Sequence, residues 1–424
     1  MKFEPTLHKL SNGVTVILDP MDVATDEVCI CFRTGAGDEE PHEYGITHFC
    51  EHMFCKGTPR FPTVRAGKDY IADNGGSFNA STSLDYLKFV GRIVSENLWV
   101  LLDFWADRIQ NSLFDTNMIE NERGVILDEL RRSLSKNGVK QTMFVEKKLY
   151  DIEVPNGEMT LGNPENIKSF TREQMLEFAS RRMSSKNCLI CVSGKIEDKN
   201  ELLKKLEDRF NFLPTHNVEK KRRWQYRACT AHNLMPEIKN DVIEILFPCL
   251  WPATLENKYQ DTCVSKFEQK LREIMYDVLR SDNGLVYGCG FSNRGDIFSP
   301  ICGPYTETAP ENVARVVALI AKAAHDVYVS GVTEDDLRKY KNLSKLSRAN
   351  FLENNYERCR RNVLDWGYFN IAHDFYRDCE MADSVTCDDV MKYTRGIYDG
   401  PMSIITHGPK FDGDLQQIWK DNFK

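Results

Sequence analysis

His48, Glu51 and His52 stand three and four residues apart in the run Gly45-Ile46-Thr47-His48-Phe49-Cys50-Glu51-His52-Met53. On an α-helix these side chains share one face about one turn apart. Two imidazoles so spaced can hold a single zinc ion, and the glutamate between them can take a proton from water at that ion. A catalytic zinc needs a third protein ligand and an open position for water. Glu129, in a segment expected to be helical from about Met118 to Ser133, is the candidate. Glu122, seven residues earlier, shares its face two turns away and is placed to hydrogen-bond a ligand imidazole. Asp128 is adjacent but projects about 100° away from that face.

The surrounding pattern supplies the elements such a site needs. Residues 8–19 read as a hairpin or strand entry through Asn12-Gly13, and Val28–Arg33 as a second strand. The histidine helix follows, with Gly57 and Pro59 as its stop. Residues 64–74 read as helix, broken at Gly75-Gly76, and Ser77–Val90 as strand. Periodic apolar residues predict helices over 95–112, 171–183 and 199–210, and Asn187–Gly194 is a buried strand. Residues 213–227 are polar, without periodicity, and carry the basic run Lys220-Lys221-Arg222-Arg223; an exposed linker is the expectation. Beyond it, strands at 242–247, 285–292 and 403–407 alternate with long helices at 262–280, 311–329, 333–354 and 355–368. The similar length and element order of the halves suggest a duplicated domain, 1–212 and 228–424, of which only the first has H-x-x-E-H. The fold class expected is α+β, each domain a mostly antiparallel sheet packed with helices.

Composition narrows the function. A net charge of −8 over 424 residues argues against nucleic acid as the main partner. Residues 1–130 carry 21 acidic and 11 basic side chains, a balance that favours basic or neutral ligands. Arg131, Arg132, Lys136, Lys140, Lys147 and Lys148 then reverse it against Glu146 alone. No stretch approaches 18 apolar residues, so no membrane span is expected. The start resembles neither a signal nor a transit peptide, and a cytoplasmic location is the expectation. The 14 cysteines are expected to be reduced and mostly buried. Cys188 and Cys191, three apart on a strand, should face opposite ways.

The run His48-Phe49-Cys50-Glu51-His52-Met53-Phe54-Cys55-Lys56-Gly57-Thr58 resembles the active-site helix of the pitrilysin family of inverzincin metallopeptidases. Glu122-Arg123-Gly124-Val125-Ile126-Leu127-Asp128-Glu129 resembles the family's E-R-x-V-I-L-x-E segment, with Glu129 lying 77 residues after His52. The resemblance covers essentially the whole chain. It implies one Zn²⁺ per chain held by His48, His52 and Glu129, with Glu51 as general base. Gly75–Asp85 resembles the edge strand beside the zinc, which implies that substrate backbone pairs near Asn79 and Ala80. Leu279–Tyr287 resembles the family's arginine–tyrosine segment, which implies that Arg280 and Tyr287 hold the substrate carbonyl and the developing oxyanion. Cys50, Cys55 and Leu87 depart from the family pattern without touching the proposed chemistry. Cys50 lies some 200° round the helix from His48 and should be a small core residue.

The activity implied is a zinc endopeptidase acting on peptides or unfolded segments, basic ones favoured, inside a chamber formed by a homodimer. In such a dimer Arg280 and Tyr287 of one subunit serve the zinc of the other. The alternatives are an inactive scaffold subunit of a larger complex and a catalytic subunit that needs a separate partner chain.

Overall fold

The computed structural model describes residues 2–220, 225–248, 254–294, 301–409, 411 and 413–424. The chain gathers into two compact units. The first comprises Met1–Lys136, Glu153–Arg222 and Arg348–Asp374, the second Asn137–Ile152, Arg223–Ser347 and Phe375–Lys424.

The chain opens with the hairpin strands β1 (Thr6–Lys9) and β2 (Thr15–Pro20). Gly13 turns them at φ +99°, a conformation that favours glycine. Next come β3 (Thr25–Phe32), α1 (Ile46–Phe54), α2 (Val64–Asp73), β4 (Gly76–Thr82), β5 (Leu87–Val94), α3 (Leu98–Asn111), α4 (Thr116–Leu134) and α5 (Asn137–Tyr150). They are followed by α6 (Pro164–Ser169), α7 (Arg172–Arg182), β6 (Cys188–Gly194) and α8 (Lys199–Phe210). All but α5 belong to the first unit. The stretch 77–90, expected as one strand, is two. The backbone N–H of Ser83 donates to the Tyr86 carbonyl at 2.9 Å, and the Ser83 hydroxyl accepts from the Tyr86 N–H at 3.1 Å. Those bonds reverse the chain between β4 and β5.

The first sheet has the order β1-β2-β6-β3-β5-β4, antiparallel throughout except for β2 beside β6. Val16, Ile30, Phe89 and Ile190 pack with Phe49, Phe54, Phe104 and Trp105 in the main core. Ile17, Cys29, Cys31 and Cys191 belong to a separate cluster. Cys188 joins the main core and Cys191 the other cluster, as their odd spacing on β6 requires.

In the second half, β7 (Thr230–Leu234), β8 (Asp241–Pro248), α9 (Lys258–Tyr276), β9 (Val286–Arg294), β10 (Ile301–Thr308), α10 (Val313–Ser330) and α11 (Glu334–Glu353) lead to α12 (Asn355–Phe369). Then come α13 (Phe375–Ser384), α14 (Cys387–Tyr398), β11 (Ser403–Gly408) and α15 (Leu415–Asn422). The second sheet has the order β7-β11-β8-β10-β9. Set β7 to β11 against β2 to β6 and the orders coincide, including the parallel pair, here β7 with β11. This is the repeat suspected from the sequence. Strands β7 and β10 had no clear signal, because β7 has no buried residue and Gly303-Pro304 interrupts β10.

Residues 213–220, expected as part of the linker, lie along the end of α7. The Ser184 hydroxyl donates to the His216 carbonyl at 2.6 Å, and Arg182 donates to the Glu219 carbonyl at 3.0 Å. Lys221, Arg222 and Arg223 of the basic run lie outside the described residues.

Helix α12 belongs to the first unit, not the second, and is separate from α11 because Asn354 caps its N-terminus. It packs on β6, β3 and β2, with Cys359, Val363 and Trp366 joining the Cys29 and Cys191 cluster. Arg358 and Asp19, both wholly buried, form a two-pronged ion pair, with Arg358 Nε 2.8 Å from Asp19 Oδ2. The Arg33 guanidinium lies 3.7 Å over the Trp366 ring. Gly367 admits Tyr86, whose hydroxyl would stand 1.9 Å from a Cβ there. Removing one partner of a buried ion pair strands the other charge, so Arg358→Met is expected to cost about 3–5 kcal/mol in urea denaturation. The double variant Asp19→Leu/Arg358→Met should recover most of that loss.

Candidate metal centre

Helix α1 is fixed at both ends before any ligand is considered. Gly45 at its N-terminus has φ +96°, and a Cβ there would meet the Leu161 carbonyl oxygen at 2.6 Å, so glycine is required. Buried Glu39 accepts the backbone N–H groups of Gly45 and Thr47, each at 2.8 Å. Burial pushes the Glu39 carboxyl up to about 8, against these hydrogen bonds. At the other end, fully buried Arg108 donates to the Phe54 carbonyl at 3.2 Å.

From this helix His48 and His52 point toward Glu129 on α4. The Nε2 atoms of His48 and His52 lie 4.0 Å and 3.7 Å from Glu129 Oε2. One ligand atom from each of the three residues lies within 4.8 Å of the others. Four-coordinate zinc with bonds of roughly 2.0–2.1 Å needs donors only somewhat closer than this. Glu129 has no lysine or arginine ion-pair partner among the described residues. Two imidazoles, one of them held neutral, and an otherwise unpaired carboxylate make a donor set suited to zinc. Burial and the neighbouring His52 push the His48 imidazole down to about 3. The Glu129 side chain is 42% exposed, which leaves the site open on one side.

A second layer holds the ligands. His52 Nδ1 lies 2.8 Å from Glu122 Oε2, and Lys56 Nζ lies 2.5 Å from Glu122 Oε1. Burial opposes the Glu122 charge, but these two contacts outweigh it and hold the carboxyl below its usual range. Arg123 donates to the Ile167 and Phe170 carbonyls and fixes the α4 backbone between Glu122 and Glu129. Asp128 turns away to pair with Arg131 at 2.7 Å. Cys50 is buried, with its Sγ 3.6 Å from the Met175 carbonyl, away from the ligand face.

Glu51 takes a different partner. The Thr82 hydroxyl, at the end of β4, donates to Glu51 Oε2 at 2.6 Å. Burial raises the Glu51 carboxyl above its usual range despite that bond. Among the described residues, strand β4 is the outer strand of its sheet and pairs only with β5. Asn79 on it is exposed, whereas the Ala80 side chain is buried in the core, leaving only its backbone to meet a ligand. Thr82, Glu39, Lys56, Arg108 and Arg123 were missed from the sequence. Only Lys56 carried a usable signal, since it stands four residues after His52.

Arg280 and Tyr287 lie in the second unit. A π-helical turn over Asp277–Ser281 ends α9 and sets the Arg280 guanidinium 5.1 Å from the Tyr276 ring and 5.0 Å from the Tyr287 ring. Tyr287 is 89% exposed, near the start of β9, which matches β4 in the repeat.

Comparison with known proteins accounts for both halves. Residues 16–156 match the family described as Insulinase (Peptidase family M16), and residues 169–344 match the Peptidase M16 inactive domain. The chain belongs to peptidase family M16, the pitrilysin family of the sequence reading. It is 30% identical over 218 residues to a mitochondrial-processing peptidase subunit beta of Dictyostelium discoideum, covering 51% of this chain and 46% of that one. The match therefore spans about half the length of that relative. An uncharacterized zinc protease of Rickettsia bellii is 27% identical over 324 residues, covering 75% of this chain and 77% of that one. The fold matches the crystal structure of a protease from Helicobacter pylori with a TM-score of 0.83 at 16% identity, over 96% of this chain and all of that one.

Glu122→Gln is expected to weaken zinc binding about 10- to 100-fold, read by competition with a chromophoric chelator. Glu39 makes a second prediction. Its carboxyl is raised in the folded state, so its contribution to stability is full below about 4.3 and is lost as pH rises through about 8. Glu39→Gln should gain on the wild type as pH rises from 5 to 9, measured by urea denaturation.

Proposed function

We propose that the chain is a zinc-dependent endopeptidase that hydrolyses peptides or unfolded segments. The observation that carries this reading is the convergence of His48, His52 and Glu129, with Glu51, on the helix of the two histidines, held by Thr82 of β4. When bound, zinc supplies a Lewis acid that polarises the scissile carbonyl and acidifies a water molecule. Glu51, raised by burial, takes the proton of the attacking water and passes it to the leaving amine. The open edge of β4 pairs with an extended substrate backbone at Asn79 and Ala80. Arg280 and Tyr287 hold the substrate carbonyl and steady the developing oxyanion.

The second unit brings that pair in a homodimer, serving the zinc of the other subunit around an enclosed chamber. The acidic balance of residues 1–130 favours basic peptides. The name of the Dictyostelium relative, a subunit beta, favours a second reading in which a different chain is the partner. The presence of Arg280 and Tyr287 in this chain supports the homodimer.

Glu51→Gln is expected to abolish cleavage of a quenched fluorescent peptide library while keeping the zinc; undiminished cleavage would move the base elsewhere. Mixing Glu51→Gln subunits with Arg280→Ala subunits should restore cleavage, because one of the two sites then has both intact parts. No recovery on mixing would count against the pair acting between subunits.

A further inference from the structure

The turn between β4 and β5 follows directly on Thr82, and three of its successive carbonyls are captured. The Ala36 N–H donates to the Ser83 carbonyl and the Gly37 N–H to the Leu84 carbonyl, each at 2.9 Å. The Asp85 carbonyl accepts from Lys220 Nζ at 3.1 Å. The first two bonds need glycine at 35, where a Cβ would meet the Ser83 carbonyl oxygen at 2.3 Å. The third comes from about 135 residues away in sequence.

Lys220 does not hang free in a linker. Its ammonium also meets Asp85 Oδ1 at 3.3 Å and buried Asp38 Oδ2 at 2.9 Å. Asp38 Oδ2 in turn accepts the Gly35 N–H at 3.2 Å and faces Arg182 Nη2 at 3.2 Å. Arg182 binds the Glu219 carbonyl, so the backbone next to Lys220 is held by the same group that helps to hold its ion-pair partner. Among the described residues, Arg182 and Lys220 pair with Asp38, and Lys220 also pairs with Asp85. Only 22% of the lysine side chain is exposed, which limits the solvent screening of these contacts.

We propose that Lys220 is a positioning residue for the general base: docked on Asp38 and Asp85, it fixes the β4–β5 turn so that Thr82 keeps Glu51 in place. The same contact ties the first residues after α8 to the strand that seats the substrate. The proposal rests on Glu51 being the base of the reading above. Its physical consequence for the turn does not, because the fixing of residues 83–86 is independent of any reaction.

The test uses the full chain with Lys220→Met and Lys220→Arg. With zinc bound, Lys220→Met is expected to lower kcat about tenfold with KM within about twofold and zinc content unchanged, while Lys220→Arg recovers most of the loss. Hydrogen exchange of the zinc-free protein is the second arm. Amides of residues 77–89 should exchange about tenfold faster in Lys220→Met than in wild type, with α8 unchanged. Unchanged exchange in that segment overturns the proposal, as does an unaltered kcat in an active Lys220→Met enzyme. If the wild type cleaves nothing, the peptidase reading fails, and the exchange arm still decides whether Lys220 fixes the turn.

Discussion

Three donor atoms from two helices have to meet at one point, and the rest of the first unit is arranged around that demand. His48 and His52 come as a rigid pair because one helical turn separates them. Glu129 must be brought to them by the crossing of α1 and α4. A carboxylate beside two imidazoles would otherwise be drawn to any lysine or arginine within reach. Here the cations are spent elsewhere: Lys56 on Glu122, Arg123 on two backbone carbonyls, and Arg131 on Asp128. Among the described residues, Glu129 is left with the imidazoles alone. The crossing is held by bonds that leave its center free, and the helix that carries the histidines is gripped at its first and last turns by Glu39 and Arg108.

The repeated strand order shows what duplication kept and what it released. Both sheets have one parallel pair and an outer strand in the same place, β4 in one and β9 in the other. The first copy puts Thr82 and exposed Asn79 on that strand. The second puts exposed Tyr287 there, with Arg280 on the preceding helical turn held between two tyrosine rings. The topology fixed the place, and the side chains at that place diverged. The copies are also not cut cleanly in sequence. Helix α12 comes from the second half of the chain and covers the first sheet, and α5 comes from the first half and belongs to the second unit. The buried pair of Arg358 and Asp19 marks how firmly α12 is held, since neither charge tolerates burial without the other.

Local spacing made the ligand helix legible, because i, i+3 and i+4 carry geometry directly. The face shared by Glu122 and Glu129 was legible for the same reason, as were the opposite directions of Cys188 and Cys191. Arg280 and Tyr287 are suggested only by resemblance, since nothing in the spacing of an arginine and a tyrosine implies a site. The β4–β5 turn was hidden because Ser77–Val90 has no glycine or proline to mark a break, and the break is made by hydrogen bonds between residues three apart. Thr82, Arg108 and Lys220 act across long sequence separations, where only the assembled fold brings their partners near. The placement of α12 was illegible for another reason: its amphipathic pattern says that one face is buried, not against which sheet.

The choice of base proposed above rests on comparing two carboxylates that flank the same histidine. Glu122 and Glu51 both lie within reach of the ligand helix, and their surroundings push them apart. Glu122 receives an imidazole and an ammonium, and these contacts outweigh its burial, so it stays ionised and fixed. Such a group orients His52 well but has little affinity for a proton. Glu51 receives a neutral hydroxyl, so burial prevails and its affinity for a proton rises. Two acids separated in this way by their environments take different parts in one site. Glu129 is 42% exposed, which leaves room for water beside the imidazoles. Among the described residues no lysine or arginine pairs with Glu51, and Thr82 at the end of β4 is what keeps it in place.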